Sequence, residues 1–226
     1  MVADLPGPAQ RYLLHAISPG TPLATSVRFT MTGSFSTKPG ADWMPLSAEQ
    51  ILAPPLGFLW KAAIKKGIIS FSGADYYANN RGLTLFRLWN LIPIVNSKGP
   101  DIDKAAAGRL AVESIWMPPA LLPFSGAKWE AIDDESAKAI LTINGNPFEI
   151  TLFINPNGSL RKISTPRWGN QTDDHTYAFI PFGGEIAQEH TFGGYTIPSN
   201  ISVGWWFSTN RYYEFFRATI TNAEFR

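Results

Sequence analysis

Three side chains have the type and setting for proton chemistry: Glu113, Asp75 and His190. Glu113 follows Arg109-Leu-Ala-Val and precedes Ile115-Trp116-Met117, so an acid sits in an otherwise apolar stretch. Burial disfavours a carboxylate's charge, so such an acid is either paired with a cation or holds its proton more tightly than usual. Arg109, one helical turn earlier, is the partner within reach. Asp75 stands beside Tyr76 and Tyr77 near a strand end, and Arg81 beyond the following turn is its expected cross-hairpin partner. His190 follows Glu189 in a strand-like segment, where a cross-strand acid could pair with it. Each has two readings: a structural ion pair or surface group, or an acid or base for isomerase, cyclase or hydrolase chemistry on an apolar substrate.

Several other chemistries are absent from the chain. It has no cysteine, which removes disulfides, thiolate metal sites and cysteine nucleophiles. His15, His175 and His190 lack the close spacing of zinc ligands, and Asp173-Asp174-His175 lies in a polar, loop-like stretch, so no metal is expected. Ser125, between Phe124 and Gly126, has neither the Gly-x-Ser-x-Gly pattern nor the strand–turn–helix context of a nucleophile elbow. Gly183-Gly184 and Gly193-Gly194 lack phosphate-loop spacing and read as turns or bulges. Asp133-Asp134-Glu135 reads as a solvated turn. No cofactor is expected.

The aromatic residues carry the ligand reading. There are 8 tryptophans and 13% aromatic residues, while charged residues make up only 16%, against about 25% in an average globular chain. Side chains alternate faces along a strand, so aromatic-rich strands turn a subset of their rings inward. Trp60, Tyr76, Trp116, Trp205 and Tyr212 are the rings expected to line a pocket for a lipid or another apolar small molecule. The other reading is that they fill a core. A net charge of +1 lacks the basic excess that nucleic acid or an anionic lipid surface requires. No apolar run is long enough to span a membrane. The chain therefore reads as soluble. No signal peptide is read from Met1-Val-Ala-Asp-Leu-Pro, and the compartment stays open because a leader or anchor could have been removed. Nothing in the sequence sets an oligomeric state.

These residues must be positioned by strands. Val27 to Phe35 alternates Val27, Phe29, Met31, Gly33 and Phe35 with polar residues, the pattern of a half-buried antiparallel strand. Further strands are expected over 44–52, 57–64, 67–77, 81–89, 136–143, 147–154, 159–165, 176–182, 185–192, 200–207 and 212–221. Asn144-Gly145 is a strong hairpin signal between two of them. A short helix is expected over 6–16, with Pro6 or Pro8 in its first turn and Tyr12 and Leu13 inward. A helical insert is expected over 101–123, started by Asp101 or Asp103 as N-cap and stopped by Pro118-Pro119. The fold class is mainly β (α+β): one domain over 1–226, built as one large curled antiparallel sheet or unclosed β-barrel with two or three short helices covering it.

The landmarks also occur in a recognisable order. Leu5-Pro6 with Arg11-Tyr12-Leu13, Gly33-Ser34-Phe35 and Trp43-Met-Pro-Leu-Ser-Ala-Glu-Gln50 come first. Gly57-Phe-Leu-Trp60, Asp75-Tyr76, Arg109-Leu-Ala-Val-Glu113, Pro118-Pro-Ala-Leu-Leu-Pro123 and Trp129 follow, then Gly193-Gly-Tyr-Thr-Ile-Pro198 and Trp205. Together they resemble a widespread bacterial family of unknown function across nearly the whole chain. That family has no established activity, so the resemblance transfers no catalytic residue. The layout is more loosely similar to the lipoprotein-carrier fold of LolA and LolB, which implies an unclosed barrel covered by helices and holding acyl chains. The leading expectation is binding of a lipid or other apolar small molecule in a concave pocket. The alternatives are an acid/base enzyme on an apolar substrate and a protein-interaction module.

Overall fold

Alternation and turn chemistry dictate most of the architecture in the computed structural model, which describes residues 2–226, the side chain of Lys66 apart. The chain opens with helix α1 (Gly7–Ala16). Six strands follow in a meander: β1 (Val27–Phe35), β2 (Met44–Ala53), β3 (Gly57–Lys66), β4 (Ile69–Ala78), β5 (Arg81–Leu88) and β6 (Ile92–Lys98). Helix α2 (Pro100–Val112) and three short 3-10 turns over 113–125 come next. The second wing is β7 (Lys128–Ala131), β8 (Ser136–Ile143), β9 (Asn146–Ile154), β10 (Leu160–Gly169), β11 (Ala178–Phe192), β12 (Tyr195–Trp205) and β13 (Tyr213–Phe225).

All thirteen strands form one antiparallel sheet in the order β6-β5-β4-β3-β2-β1-β13-β12-β11-β10-β9-β8-β7. The two ends of the strand series join at β1–β13, and β6 and β7 are left as free edges. The sheet therefore curls without closing, as the number of strands in the sequence pattern predicts. Tight turns keep neighbours in register. Asn79 and Asn80, Asn144 and Gly145, and Gly193 and Gly194 all have positive φ, the geometry that two-residue hairpins need to match the strand twist.

Alternation puts the apolar set on the concave face. In β1, Val27, Phe29 and Met31 are buried and their neighbours exposed. The same face carries Leu52, Phe58, Trp60, Ile150, Leu152, Ile154, Ile163, Ile180 and Ile201. Helix α2 follows edge strand β6 and crosses the hollow of the sheet, touching β5 on one wing and β10 on the other. Ala106, Ala107, Leu110 and Ala111 are its buried face. Small alanines let the helix backbone approach the sheet closely. At Gly82 the approach is tighter still, since a Cβ there would lie 2.6 Å from the Ile102 carbonyl oxygen. Helix α1 covers the opposite wing, with Tyr12 against Trp129 and His15 bonded to Glu189 of β11 at 2.7 Å.

Some expectations are corrected. β6 and β7 were not foreseen, because β6 is an edge strand exposed almost throughout and β7 is only 4 residues long. Segments 176–182 and 185–192 are one strand: Gly183 and Gly184 lie inside it, paired with Ser164 and Ile163. Only Gly193-Gly194 forms a turn. Gly99 is the N-cap of α2, with no side-chain cap. Asp101 and Asp103 instead accept hydrogen bonds from Trp168 Nε1 and the Gly82 N–H, tying the helix start to both wings.

Candidate functional site

Register places the first site residues. Thr84, Asp75, Trp60, Gln50 and Phe29 stand side by side across β5, β4, β3, β2 and β1, forming one row on the concave face. Helix α2 lowers Arg109, and its C-cap residue Glu113, onto this row. Arg109 Nε donates to Glu113 Oε1 at 2.7 Å, one turn along the helix. Arg109 Nη1 donates to Asp75 Oδ2. Gln50 Nε2 donates to Glu113 Oε2 at 2.6 Å. Asp75 Oδ1 accepts from Thr84 Oγ1 at 2.9 Å. The guanidinium also lies over the Phe58 and Trp60 rings, 4.7 and 5.0 Å from their centres. Only 13% of the Arg109 side chain is exposed. Burial works against its charge, but Glu113 and Asp75 together outweigh that and hold its pKa above the ordinary guanidinium value.

Beside this cluster the two wings and α2 leave a cavity of about 610 Å³. Its walls are mostly apolar, with Ile64, Phe86, Ile163, Phe182, Ile201, Val203 and Phe216 among them. Ile94 and Val95 of edge strand β6 stand at an exposed rim. On the cavity wall Trp60 of one wing meets Phe216 of the other at 6.2 Å, and within the second wing Phe182 meets Trp205 at 5.1 Å. The charged side chains that reach the space are Asp75, Arg109 and Glu113 from the cluster and Arg167 from the far wing; Ser36, Thr37, Thr84, Gln171 and Tyr213 add neutral polar groups.

Among the described residues Arg167 is a charged lining group without hydrogen-bonded company. It sits on β10 in register with Ile180, its guanidinium 4.6 Å above Phe182 and 5.2 Å from Trp205. Its buried Nε has no hydrogen-bond partner, and among the described residues its guanidinium joins no ion pair. Burial, and then repulsion from Arg109, pull its pKa down to about 10, and Glu113 and Asp75 offset only part of that. Two more buried polar atoms on cavity-lining residues lack partners: Trp60 Nε1, a donor, and Gln171 Oε1, an acceptor.

The residues singled out from sequence fall as follows. Glu113 and Asp75 line the cavity and share Arg109, and the expected Arg109–Glu113 pair is formed. Arg81 is not the partner of Asp75: it pairs with Asp103 at 3.1 Å. The reason is register, since Asp75 stands opposite Thr84 and Arg81 opposite Ala78. Trp60, Trp116 and Trp205 are on the cavity wall, with Trp116 Nε1 bonded to the Pro198 carbonyl at 3.0 Å. Tyr76 is outside the cavity, because it pairs with Leu59 and Leu83 and alternates away from Asp75. Tyr212 packs on Phe207 at the end of the sheet, also off the wall. His190 is exposed, with its ring tilted against Phe192 at 4.7 Å, and does not line the cavity. No metal-binding cluster of His, Asp or Glu occurs among the described residues. Gln50, Arg167 and Gln171 had not been singled out. The signal for Arg167 lies in β10, where Ile163, Thr165 and Arg167 share the inward phase, so an arginine continues an inward-facing series.

A curled, unclosed antiparallel sheet with a helix across its hollow, enclosing an apolar cavity with a buried ionic cluster, defines the class of this protein. The chain belongs to a family of unknown function, DUF6920, whose model matches residues 3–225. This agrees with the resemblance to an uncharacterised family seen in the sequence. No curated protein matches the chain. Among solved structures it is similar to a LolA superfamily protein from Nitrosomonas europaea, at 10% identity and a TM-score of 0.45, covering 97% of this chain and 92% of that one. It is also similar to a putative outer membrane lipoprotein-sorting protein domain from Vibrio parahaemolyticus, at 8% identity and a TM-score of 0.47, covering 89% and 85%. A DUF1329 family protein from Desulfovibrio piger shows 8% identity and a TM-score of 0.45, covering 89% and 86%.

Proposed function

We propose that this protein binds a lipid or another apolar small molecule in the hollow between α2 and the sheet. The observation that carries this reading is the cavity itself: about 610 Å³, walled by apolar and aromatic side chains from both wings. Small-molecule sites fall at about 300–1,000 Å³ and combine apolar walls with a few placed polar groups. A core meant only for stability would close such a space, because each unfilled volume forfeits dispersion contacts.

The acid/base reading is weaker on geometry. Glu113 and Asp75 both face the cavity, but each already accepts from Arg109, and their remaining oxygens accept from Gln50 and Thr84. Carboxyl groups engaged in this way fix the end of the helix to the sheet.

Native mass spectrometry of the purified protein tests the binding reading. The expected spectrum contains a mass increment that is lost on delipidation and regained on adding a lipid extract. A spectrum of bare chain both before and after lipid addition would contradict it.

A further inference from the structure

The polar atoms of the cavity divide unevenly between its two wings. On one side Arg109 is bracketed by Asp75 and Glu113. On the other, Arg167 makes no hydrogen bond or ion pair through its guanidinium among the described residues. A guanidinium offers five N–H donors in a planar fork. Here the fork lies against the faces of Phe182 and Trp205, which stabilise a cation but accept no conventional hydrogen bond. Its stem runs beneath α2, where a Cβ added at Gly108 would lie 4.0 Å from Arg167 Cγ. The charge is thus held in place beside an apolar space.

We propose that Arg167 anchors the carboxylate head of a long-chain, singly charged amphiphile whose tail fills the apolar cavity. The proposal rests on the binding reading above and adds the chemistry of the head group. A carboxylate matches the fork, because two parallel N–H···O bonds fit its two oxygens. Trp60 Nε1, also unpartnered, is a further donor on the lining. Charge decides between head groups. Asp75, Glu113, Arg109 and Arg167 sum to zero, so a monoanion leaves the site at −1 and a dianion, such as a phosphate monoester, at −2. With the two acids so near, the monoanion is the one tolerated. Partly desolvated walls make the pairing stronger than the same contact in water. The tail then lies along Ile163, Ile201, Val203 and Phe216.

Calorimetric titration with dodecanoic acid and with dodecan-1-ol at about pH 8, where a free carboxyl is ionised, separates head from tail. The wild-type protein is expected to bind the acid at least about tenfold more tightly than the alcohol, in line with a charge-assisted bidentate contact. Arg167→Met is expected to lose that preference and keep the alcohol affinity, while Arg167→Lys keeps part of the preference. Equal affinities for acid and alcohol in the wild-type protein would overturn the carboxylate assignment and leave the cavity reading standing. So would an Arg167→Met variant that weakens both ligands alike. Binding of neither ligand would remove both. The wild-type comparison alone decides the head group if the Met variant fails to fold.

Discussion

Gln50 Nε2 on β2 donates to Glu113 Oε2 just beyond the end of α2, at 2.6 Å. This bond and the Arg109 bond to Asp75 on β4 fasten the end of the helix to one wing of the sheet. The start of the helix is fastened to both wings, through Asp101 to Trp168 and through Asp103 to Gly82. A helix held at both ends can span a hollow without filling it, and the cavity lies alongside its last turn, at Arg109 and Val112.

Removing the central cation should be costly. Arg109→Met leaves Asp75 and Glu113 largely buried, at 18% and 13% exposure, without their counter-charge. Breaking a buried pair by deleting one partner typically costs about 3–5 kcal/mol, and each kcal/mol lowers the melting temperature by about 2–4 °C in a chain of this size. A thermal melt should show a drop of about 10 °C. Adding Asp75→Asn and Glu113→Gln should recover most of it. An unchanged melting temperature in the single variant would show that the cluster is not holding the helix.

Tyr12 is 1% exposed, and its buried hydroxyl lacks a hydrogen-bond partner. Tyr12→Phe should be neutral or stabilising by up to about 1 kcal/mol at neutral pH, because it removes an unsatisfied group. The pH dependence has a definite sign. Burial, and secondarily Glu189, raise the Tyr12 pKa from 10.0. The folded chain therefore stays protonated while the unfolded chain ionises. That stability is fully present below pH 10 and is lost as pH rises toward the folded value. Tyr212, pushed up to about 12 chiefly by burial, acts in the same direction between 10.0 and 12. Denaturant melts above pH 10 should show Tyr12→Phe losing stability more slowly than wild type, by about 1.4 kcal/mol per pH unit. Parallel curves would contradict this.

Arg167 has the opposite character to Arg109. Its lowered pKa means that the folded chain holds this proton less well than the unfolded chain does. Between pH 10 and the ordinary guanidinium value the unfolded chain binds more protons, so stability attributable to Arg167 rises with pH there. At neutral pH the cation is a liability of the empty protein. Arg167→Met should therefore raise the melting temperature of ligand-free protein by a few degrees, the usual exchange of function for stability at a binding site. A clear decrease would show that Arg167 is structural.

The contact between α2 and β5 is tested at Gly82. A Cβ there meets the Ile102 carbonyl oxygen at 2.6 Å and Ala106 Cβ at 3.0 Å. Gly82→Ala must push the helix away or twist the strand, and overpacking of this kind costs about 1–3 kcal/mol. Hydrogen exchange should report faster opening of α2 and β5 than of β8 and β9. A loss spread evenly over the sheet would contradict local displacement.

Much of this arrangement could be read from residue patterns, and the gaps have physical causes. Val27 to Phe35 was legible because one face is buried and the other wet. Asn144-Gly145 was legible because its turn needs positive φ at both positions. Arg109 and Glu113 were legible because helical spacing alone brings them together. Asp75 was assigned the wrong partner, since its true one arrives from a helix 34 positions away. Edge strand β6 hides its periodicity, being exposed on both faces with Pro93 as its second residue. Tyr76 and Tyr212 show the limit of counting rings: a shift of one residue along a strand changes the face. Arg167 depends on which strands stand across the hollow, and that is a property of the whole sheet.

The central claim is that the hollow receives an apolar molecule, and uptake of the neutral dye N-phenyl-1-naphthylamine by the wild-type protein and by Val203→Trp tests it most directly. Val203 lines the cavity, so an indole there occupies the space while facing the same neighbours. The account predicts saturable uptake at one dye per chain in the wild-type protein, competed by dodecanoic acid, and its loss in a Val203→Trp variant that melts cooperatively. No uptake by the wild-type protein, or equal uptake by the filled variant, would contradict it.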